Sequence, residues 1–286
     1  MKLFILLVII VTVHGFHHGS TAYTGIYFSQ FNNNNIYSNI PSSLKASTPE
    51  TPDTSQSPPL NISIPYLGLW LGLISFAFFL SPGELNSPAD TALINELLSN
   101  PTSPSCNHIW FMIWNFFAVA PLSLAALLLP GSKFSKLPAT PFVLGSAALG
   151  YFALGPYMIT RNPSEGPVSK SDLGFVTKNV FESKVFAVLV TFLAASIPLT
   201  SGVIPDIMTG NGAELVSGFI DLFMSSKFVS VATADIALLT ILAALLIPED
   251  MERRGMEPSP IAGLATLLLP VLGPCLYFVL RDELDE

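Results

Sequence analysis

Residues 227–247 of the chain read KFVSVATADIALLTILAALLI. At about 1.5 Å per residue in a helix, an apolar run of this length crosses the hydrocarbon core of a bilayer, which is about 30 Å thick. The run contains one acidic residue, Asp235, close to its middle. It therefore predicts a membrane-spanning helix with a single carboxyl group at bilayer depth.

Five further apolar runs have membrane-spanning lengths, and they lie at residues 64–81, 108–130, 142–160, 185–204 and 261–280. Half of all residues are apolar and only 11% are charged, whereas a typical soluble domain has about 25% charged residues. A soluble chain could not cover so much apolar surface, but lipid removes that difficulty. We therefore expect an all-α, polytopic membrane protein of about six transmembrane helices.

The two halves of the chain resemble each other. Residues 124–130 read LAALLLP, and residues 242–248 read LAALLIP. The same alignment, without a gap, matches glycines, prolines and one glutamate: Gly155 with Gly273, Pro156 with Pro274, and Glu96 with Glu214. Each half contains three predicted spans, and three is odd, so the second half would enter the membrane from the opposite face. This predicts an inverted-topology repeat, with chance similarity of two low-complexity helices as the alternative.

The repeat sets the expected domain organisation. We expect repeat 1 at residues 64–160, an inter-repeat loop at 161–184, and repeat 2 with a short acidic tail at 185–286. Arg161 and Arg281 each follow the last span of a half. A cation at a helix C-terminus is favourable there and can reach the membrane interface.

The N-terminus reads as a targeting segment. Met1 and Lys2 precede an apolar run at 3–13, which is too short to span a bilayer, and Gly15 closes a cleavage site. Residues 1–15 are therefore a predicted signal peptide. The tail at 16–63 begins with Phe16 and is rich in Ser, Thr and Asn, and we expect its Asn-, Ser- and Pro-rich part to be disordered.

This arrangement resembles the bipartite presequences of algae with secondary plastids, in which a Phe follows signal cleavage and opens a transit peptide. The resemblance implies a multi-pass protein of a plastid membrane, reached through a secretory signal. The alternative is an ordinary secretory signal and a location in the endomembrane system.

Asp235 and Asn115 are the candidate site residues. An ionised carboxylate at the centre of a span costs at least about 2.5–3.5 kcal/mol, so such groups face a bundle interior, pair with a partner or take up a proton. Asp235 is either a proton, ion or ligand site, or a structural group bonded to Thr233, Thr240 or a neighbouring helix. Asn115 lies close to the corresponding point of the span at 108–130, and the two side chains could meet near the midplane.

Other chemistries find little support in the sequence. There is no Ser/His/Asp arrangement, no phosphate-binding loop and no metal-ligand spacing. The net charge of −8 has no basic block, so nucleic acid is not an expected partner. We therefore lean against an enzyme and expect no metal and no cofactor, while carotenoid or lipid stay open as ligands and a membrane complex stays open as a partner besides membrane lipid.

Four short motifs stand out in the last seventy residues: LF at 222–223, ATADIAL at 232–238, EDMERRG at 249–255 and LLPVLGP at 268–274. They resemble a group of chloroplast and cyanobacterial membrane proteins that includes the abscisic-acid-deficient type required for neoxanthin formation. Asp235 matches a polar position of that family, whereas the family's Trp and His before it are Phe228 and Ser230 here.

The expected function is a non-catalytic role in pigment, lipid or complex assembly in a plastid membrane. The first alternative is a proton-coupled carrier of a small solute or ion, with Asp235 as the proton site. The second alternative, implied by the resemblance alone, is a carotenoid-modifying membrane enzyme.

Overall fold

The computed structural model describes residues 62–163 and 166–285. The predicted signal peptide and almost all of the tail lie outside the described residues and stay predictions. Every regular element in the described ranges is helical, and no strand occurs there. The all-α prediction is confirmed for these residues.

Polar residues placed just before apolar runs set where several helices begin. The side chains of Ser87, Asn107, Ser183, Ser226 and Ser259 accept hydrogen bonds from backbone amides of the first helical turn, and each such cap is worth about 1 kcal/mol. In chain order the α-helices of the described ranges are α1 (Ile64–Ser75), α2 (Pro88–Ser99), α3 (His108–Phe116), α4 (Ala120–Leu128), α5 (Ala139–Thr160), α6 (Lys184–Thr200), α7 (Val203–Met208), α8 (Gly212–Ser225), α9 (Lys227–Arg253), α10 (Pro260–Ala265) and α11 (Leu272–Leu280).

By length and apolar composition, three helical stretches of the described residues could span a membrane. They are His108–Phe134, which contains α3 and α4, together with α5 and α9. The stretches Ile64–Leu80 and Lys184–Thr200 are apolar but shorter. The structure is therefore consistent with a membrane protein, while the prediction of about six spans is met only in part.

Helix α5 reverses direction at Gly150, which has φ 53° and ψ −134°. The rings of Phe142 and Tyr157 stack with their centroids 5.8 Å apart, whereas a continuous helix would separate these residues by about 22 Å. A Cβ built on Gly145 would lie 3.0 Å from the Cβ of Ala153. Residues 139–149 and 151–160 therefore form a helical hairpin, which we call hairpin 1, and both its ends lie on one side of the bundle.

The sixth apolar run also folds back. Helices α10 and α11 are separated by a turn in which Val271 has φ 64°, and a Cβ built on Gly273 would lie 2.2 Å from the carbonyl oxygen of Thr266. Helix α10 follows the end of α9 in the chain, and Arg281 at the end of α11 lies 3.0 Å from Asp250 near the same end. We call residues 260–280 hairpin 2.

The two ends of α9 define two sides of the bundle: the start side, where α9 begins, and the end side, where it finishes. On the start side, the Lys227 ammonium donates to Ser81 Oγ at 2.9 Å, so α1 ends there. On the end side, Arg253 Nη2 donates a hydrogen bond to the carbonyl oxygen of Leu127 at 2.5 Å, so α4 ends there. The stretch formed by α3 and α4 therefore runs parallel to α9.

Helix α6 repeats the course of α1. Its first residue, Lys184, donates to the carbonyl oxygen of Arg281 at 2.7 Å on the end side, and the chain just after it, at Asp206, lies 2.7 Å from His108 at the beginning of α3. The backbone amide of Ser63, just before α1, likewise bonds to Ile159 at the end of hairpin 1. Both α1 and α6 thus run from the end side to the start side.

The inverted relation that the sequence predicts is therefore wrong. Each half has two helical stretches that run between the two sides and one hairpin that returns to the end side. Because two is even, the second half begins on the same side as the first and runs in the same sense. The predicted spans at 142–160 and 261–280 correspond to the two hairpins, each of which returns to the end side of the bundle.

Candidate functional site

Asp235 lies on α9 with its side chain against the turn of hairpin 1. The residue is 5% exposed, and its Oδ1 accepts a hydrogen bond of 2.7 Å from the backbone amide of Tyr151. Tyr151 is the first residue of the half-helix at 151–160, whose N-terminal amides carry partial positive charge. A carboxylate at this position is held by a charged hydrogen bond and by the dipole of the half-helix.

Gly150 lets this carboxylate approach the backbone. A Cβ on Gly150 would lie 1.6 Å from Asp235 Oδ2, which no side chain could tolerate. Its φ and ψ also fall in a region that residues with a Cβ essentially do not occupy. The turn of hairpin 1 and the place of the carboxylate therefore depend on each other.

The alternative partners expected for Asp235 bond elsewhere. Thr233 Oγ1 donates to the carbonyl oxygen of Val229 at 2.7 Å, and Thr240 Oγ1 donates to that of Ile236 at 2.8 Å. Within the described ranges, the Tyr151 amide is the one hydrogen-bond partner of Asp235. The carboxyl therefore keeps acceptor capacity that the protein does not use.

Asn115 does not join this site. Its Nδ2 donates to the carbonyl oxygen of Phe111, one turn earlier in α3, at 2.8 Å. No hydrogen bond links Asn115 with Asp235 in the part of the chain that the structure describes. The Asn115 side chain therefore bonds within α3 and not to another helix in the described ranges.

Aromatic side chains of α1 hold hairpin 1 beside Asp235. Trp70 Nε1 donates to the carbonyl oxygen of Phe152 at 3.1 Å, and the Tyr151 hydroxyl donates to that of Tyr66 at 3.2 Å. Gly155 allows the closest contact, since a Cβ there would lie 2.0 Å from the Trp70 ring. The half-helix that faces Asp235 is therefore fixed to α1 at two points.

A buried cluster of charges on the end side was not predicted. Its members are four arginines and three carboxylates, which we call the arginine cluster: Arg161, Arg253, Arg254, Arg281, Glu182, Glu249 and Asp250. Asp250 is 0% exposed and accepts hydrogen bonds from Arg254 Nε at 2.9 Å, Arg281 Nη1 at 3.0 Å and the Tyr277 hydroxyl at 2.9 Å. The cluster ties both hairpins to the end of α9.

The two arginines that were expected to reach the membrane interface belong to this cluster. Arg161, which closes hairpin 1, is 7% exposed and pairs with Glu249 through both of its Nη atoms. Burial lowers the pKa of Arg161, but hydrogen bonding and attraction to Glu249 more than offset this, so the net pKa is raised. Spacing within EDMERR at 249–254 could have indicated part of the cluster; its pairing with Arg161 and Arg281 is a tertiary contact.

Comparisons of the chain with known proteins found no match. No family model, no curated protein and no solved structure matches the chain. Among the described residues, no group of three His, Cys, Asp or Glu side chains is placed to hold a metal ion. The candidate site therefore rests on the contacts of Asp235 with hairpin 1.

Proposed function

We propose that the protein is a multi-pass membrane carrier that moves protons, and that the Asp235 carboxyl exchanges the proton. One observation carries the proposal: a buried carboxyl on an apolar helix lies at the turn of a hairpin, and the Tyr151 amide is its one hydrogen-bond partner among the described residues. Intramembrane carboxyl groups usually mark ion or proton pathways. Non-helical backbone at membrane depth is tolerated where protein or a water-filled cavity surrounds it.

The same contact suggests how a proton and a movement would be coupled. A hydrogen bond to an ionised carboxylate is roughly twice as strong as one to a neutral acceptor. Proton uptake by Asp235 therefore weakens its bond to the Tyr151 amide and removes its attraction to the half-helix dipole. Hairpin 1 is then held less firmly against α9 when the carboxyl is neutral than when it is charged.

Reconstituted vesicles test this proposal. We expect the purified full-length protein to dissipate an imposed pH gradient, followed with a pH-sensitive dye inside the vesicles, and Asp235→Asn to abolish the flux. Asp221→Asn, which changes an exposed acid of α8, is the matched control and should keep it. A wild-type flux no greater than that of empty vesicles, or full flux in Asp235→Asn, contradicts the proposal.

The second candidate is a non-catalytic role in pigment, lipid or complex assembly. It is favoured by an apolar surface on α6, whose side chains are 56–71% exposed: Val185, Val188, Leu189, Phe192 and Leu199. Lipid, pigment or another membrane protein could cover this surface. Pigment and mass analysis of the gently solubilised protein should then find a co-purifying carotenoid or a larger complex, and a protein free of both contradicts this role.

The plastid setting rests on residues 1–47 and on the resemblance of the last seventy residues, and both stay predictions. A fluorescent fusion at the C-terminus tests the location, since a plastid and an endomembrane pattern are readily distinguished. Carotenoid modification likewise stays a prediction, and it requires an altered pigment profile when the protein is removed.

A further inference from the structure

The lysines and arginines are divided very unequally between the two sides of the bundle. Among the ten that the structure describes, Lys227 at the beginning of α9 is the one on the start side. The inverted arrangement that the sequence predicts would divide the same ten residues four against six. The other nine all lie on the end side: Lys133, Lys136, Arg161, Lys170, Lys178, Lys184, Arg253, Arg254 and Arg281.

Contacts between the connecting segments support this division. Lys133 pairs with Asp172 at 2.7 Å, and the Val168 amide donates to the carbonyl oxygen of Arg253 at 2.9 Å, so the segments after α4, after α5 and after α9 meet on the end side. The Arg254 guanidinium donates to the carbonyl oxygen of Asp282 at 2.7 Å, which adds the segment after α11. The start-side connections are residues 81–107 and 201–226.

The unequal division does not depend on the arginine cluster. The five lysines of the end side lie outside the cluster, and five against one is still strongly unequal. The carboxylates that pair with the arginines do not cancel their effect on membrane insertion either, because Asp and Glu contribute little to orientation. Four of the five lysines are exposed, namely Lys133, Lys136, Lys178 and Lys184.

During membrane insertion, short segments rich in lysine and arginine stay on the cytoplasmic side. Every connecting segment here is well below the length of about 60 residues up to which this preference operates. We propose that these cations fix the orientation of the protein, with the end side in the cytosol or, in a plastid, in the stroma, and the start side in the compartment across the membrane. The inference rests on the membrane-spanning course of the proposed function and not on proton movement.

This orientation gives the Asp235 site a direction. Asp235 follows the first residue of α9 by eight positions and precedes the last by eighteen, which correspond to about 12 Å and about 27 Å along the helix. The carboxyl therefore lies nearer to the compartment across the membrane. Hairpin 1 and the arginine cluster lie between it and the cytosol or stroma.

The orientation also separates the two locations that the N-terminal segment leaves open. Behind a cleaved endomembrane signal, residue 16 lies across the membrane, and residues 16–63 contain no apolar run of spanning length. Helix α1 would then begin on that side and bring nine cations there, against the preference. A chain imported into a plastid has its N-terminus in the stroma, so α1 begins where the preference places it. The proposed orientation therefore favours the plastid.

Self-assembling fragments of a fluorescent protein test the orientation in living cells. The short fragment is fused to the C-terminus of the full-length chain, on the end side, or inserted after Gly210, at an exposed turn of the start side. The large fragment is expressed in the cytosol, in the stroma or in a lumenal compartment. We expect the cytosolic or stromal fragment to complement the C-terminal tag and not the inserted tag. Complementation of the C-terminal tag from a lumen, or of the inserted tag from the cytosol or stroma, overturns the proposal.

A charge variant tests the cause of the orientation. Eight substitutions leave four lysines or arginines on each side, so we expect about half of the inserted molecules to show the C-terminal tag to each compartment. The matched control changes the same five end-side lysines to arginine, keeps nine against one, and should keep the wild-type orientation. Wild-type orientation of the balanced variant, or mixed orientation of the control, overturns the proposal. The substitutions of the balanced variant are Lys133→Gln, Lys136→Gln, Lys170→Gln, Lys178→Gln, Lys184→Gln, Glu84→Lys, Glu214→Lys and Asp221→Lys.

Failure of this inference is distinguishable from failure of the carrier proposal, because fragment complementation involves no pH gradient. If the C-terminal tag faces the cytosol or stroma but vesicles show no proton flux, only the carrier proposal fails. If flux depends on Asp235 but the C-terminal tag faces a lumen, only the orientation fails.

Discussion

The two hairpins differ in how the backbone amides at their turns are satisfied. In hairpin 2 the amides of Leu272 and Gly273 bond to the carbonyl oxygens of Pro270 and Leu269, within the turn itself. In hairpin 1 the Tyr151 amide bonds to the Asp235 carboxylate of another helix. A hairpin of this fold can therefore turn without a carboxylate. The Asp235 carboxyl is therefore specific to the turn of hairpin 1 and is not a general requirement of hairpins in this fold.

The ion pairs that hold the ends of the hairpins also differ: Arg161 of hairpin 1 pairs with Glu249, and Arg281 of hairpin 2 pairs with Asp250. We expect the largest effect from a substitution that breaks the ion pair of hairpin 2. Asp250 is fully buried among three arginines. Removing one partner of a buried ion pair costs about 3–5 kcal/mol, so we expect Asp250→Asn to destabilise the fold by about that amount. Unfolding followed by SDS titration measures it. Asp172→Asn, at an exposed pair with Lys133, is the control and should leave the midpoint unchanged.

A second variant breaks the turn of hairpin 1. Gly150→Ala adds a Cβ that overlaps the Asp235 carboxylate and must adopt a backbone conformation reserved for glycine. Strain of about 1–3 kcal/mol and the lost charged hydrogen bond together predict a loss of about 2–4 kcal/mol. The same SDS titration measures this loss. Gly68→Ala in α1, where a Cβ meets open space, should lose less than half as much, and equal losses would contradict this account of the turn.

A third pair of variants compares the carboxylates that lie at the beginnings of α9 and α3, which are Asp90 and Asp206. Asp90→Asn removes a buried carboxylate with two partners and should cost about 1–3 kcal/mol of stability. Asp206→Asn changes a partly exposed group that pairs with the partly exposed His108 and should cost less than about 1 kcal/mol. Thermal unfolding of both variants in one detergent measures the difference. Equal costs would contradict the difference in burial between Asp90 and Asp206.

The smallest effect is a difference in thiol labelling, which reports on hairpin 2. Burial, with a smaller contribution from Glu96, raises the pKa of the Cys106 thiol to about 11. Only about one molecule in a thousand then carries the thiolate at pH 8, so iodoacetamide should react slowly and about tenfold faster for each pH unit up to that pKa. Cys275 in hairpin 2 is 0% exposed and should react only when the hairpin opens. Mass spectrometry of labelled peptides separates the two rates, and labelling of Cys275 as fast as Cys106 contradicts the packing of hairpin 2.

The apolar runs in the sequence predict the helices well, because the apolar character and the length of a run are local properties of the sequence. They do not distinguish a crossing helix from a hairpin, since two half-length helices contain the same apolar residues as one long helix. The turn of hairpin 1 depends on Gly150 and on Asp235, which are far apart in the chain. Breaks were visible in both segments, however, as Pro156 in α5 and Pro270 between α10 and α11, and interrupted apolar segments in corresponding positions of two halves often indicate this kind of element.

The candidate site was predicted in part for a similar reason. An acidic residue inside an apolar run can be recognised in the sequence, so Asp235 could be selected. Its partner is a backbone amide, which every residue except proline has, so the residue types do not reveal it. Asn115 was paired with Asp235 through the assumed inverted symmetry, which the structure does not have. The pairing of Asp206 with His108 is likewise a tertiary contact, which forms only when α7 meets the beginning of α3.

The central claim is that the two halves begin on the same side and run in the same direction. Labelling single cysteines in sealed vesicles of one orientation tests it most directly. The positions are Glu84, Asn211, Lys178 and Glu257, each changed to Cys in a protein without Cys106 and Cys275. The account predicts that a membrane-impermeant maleimide reaches Glu84→Cys and Asn211→Cys from one face, and Lys178→Cys and Glu257→Cys from the other. Labelling of Glu84→Cys together with Lys178→Cys and Glu257→Cys, opposite to Asn211→Cys, would contradict it, because that is the pattern of an inverted repeat.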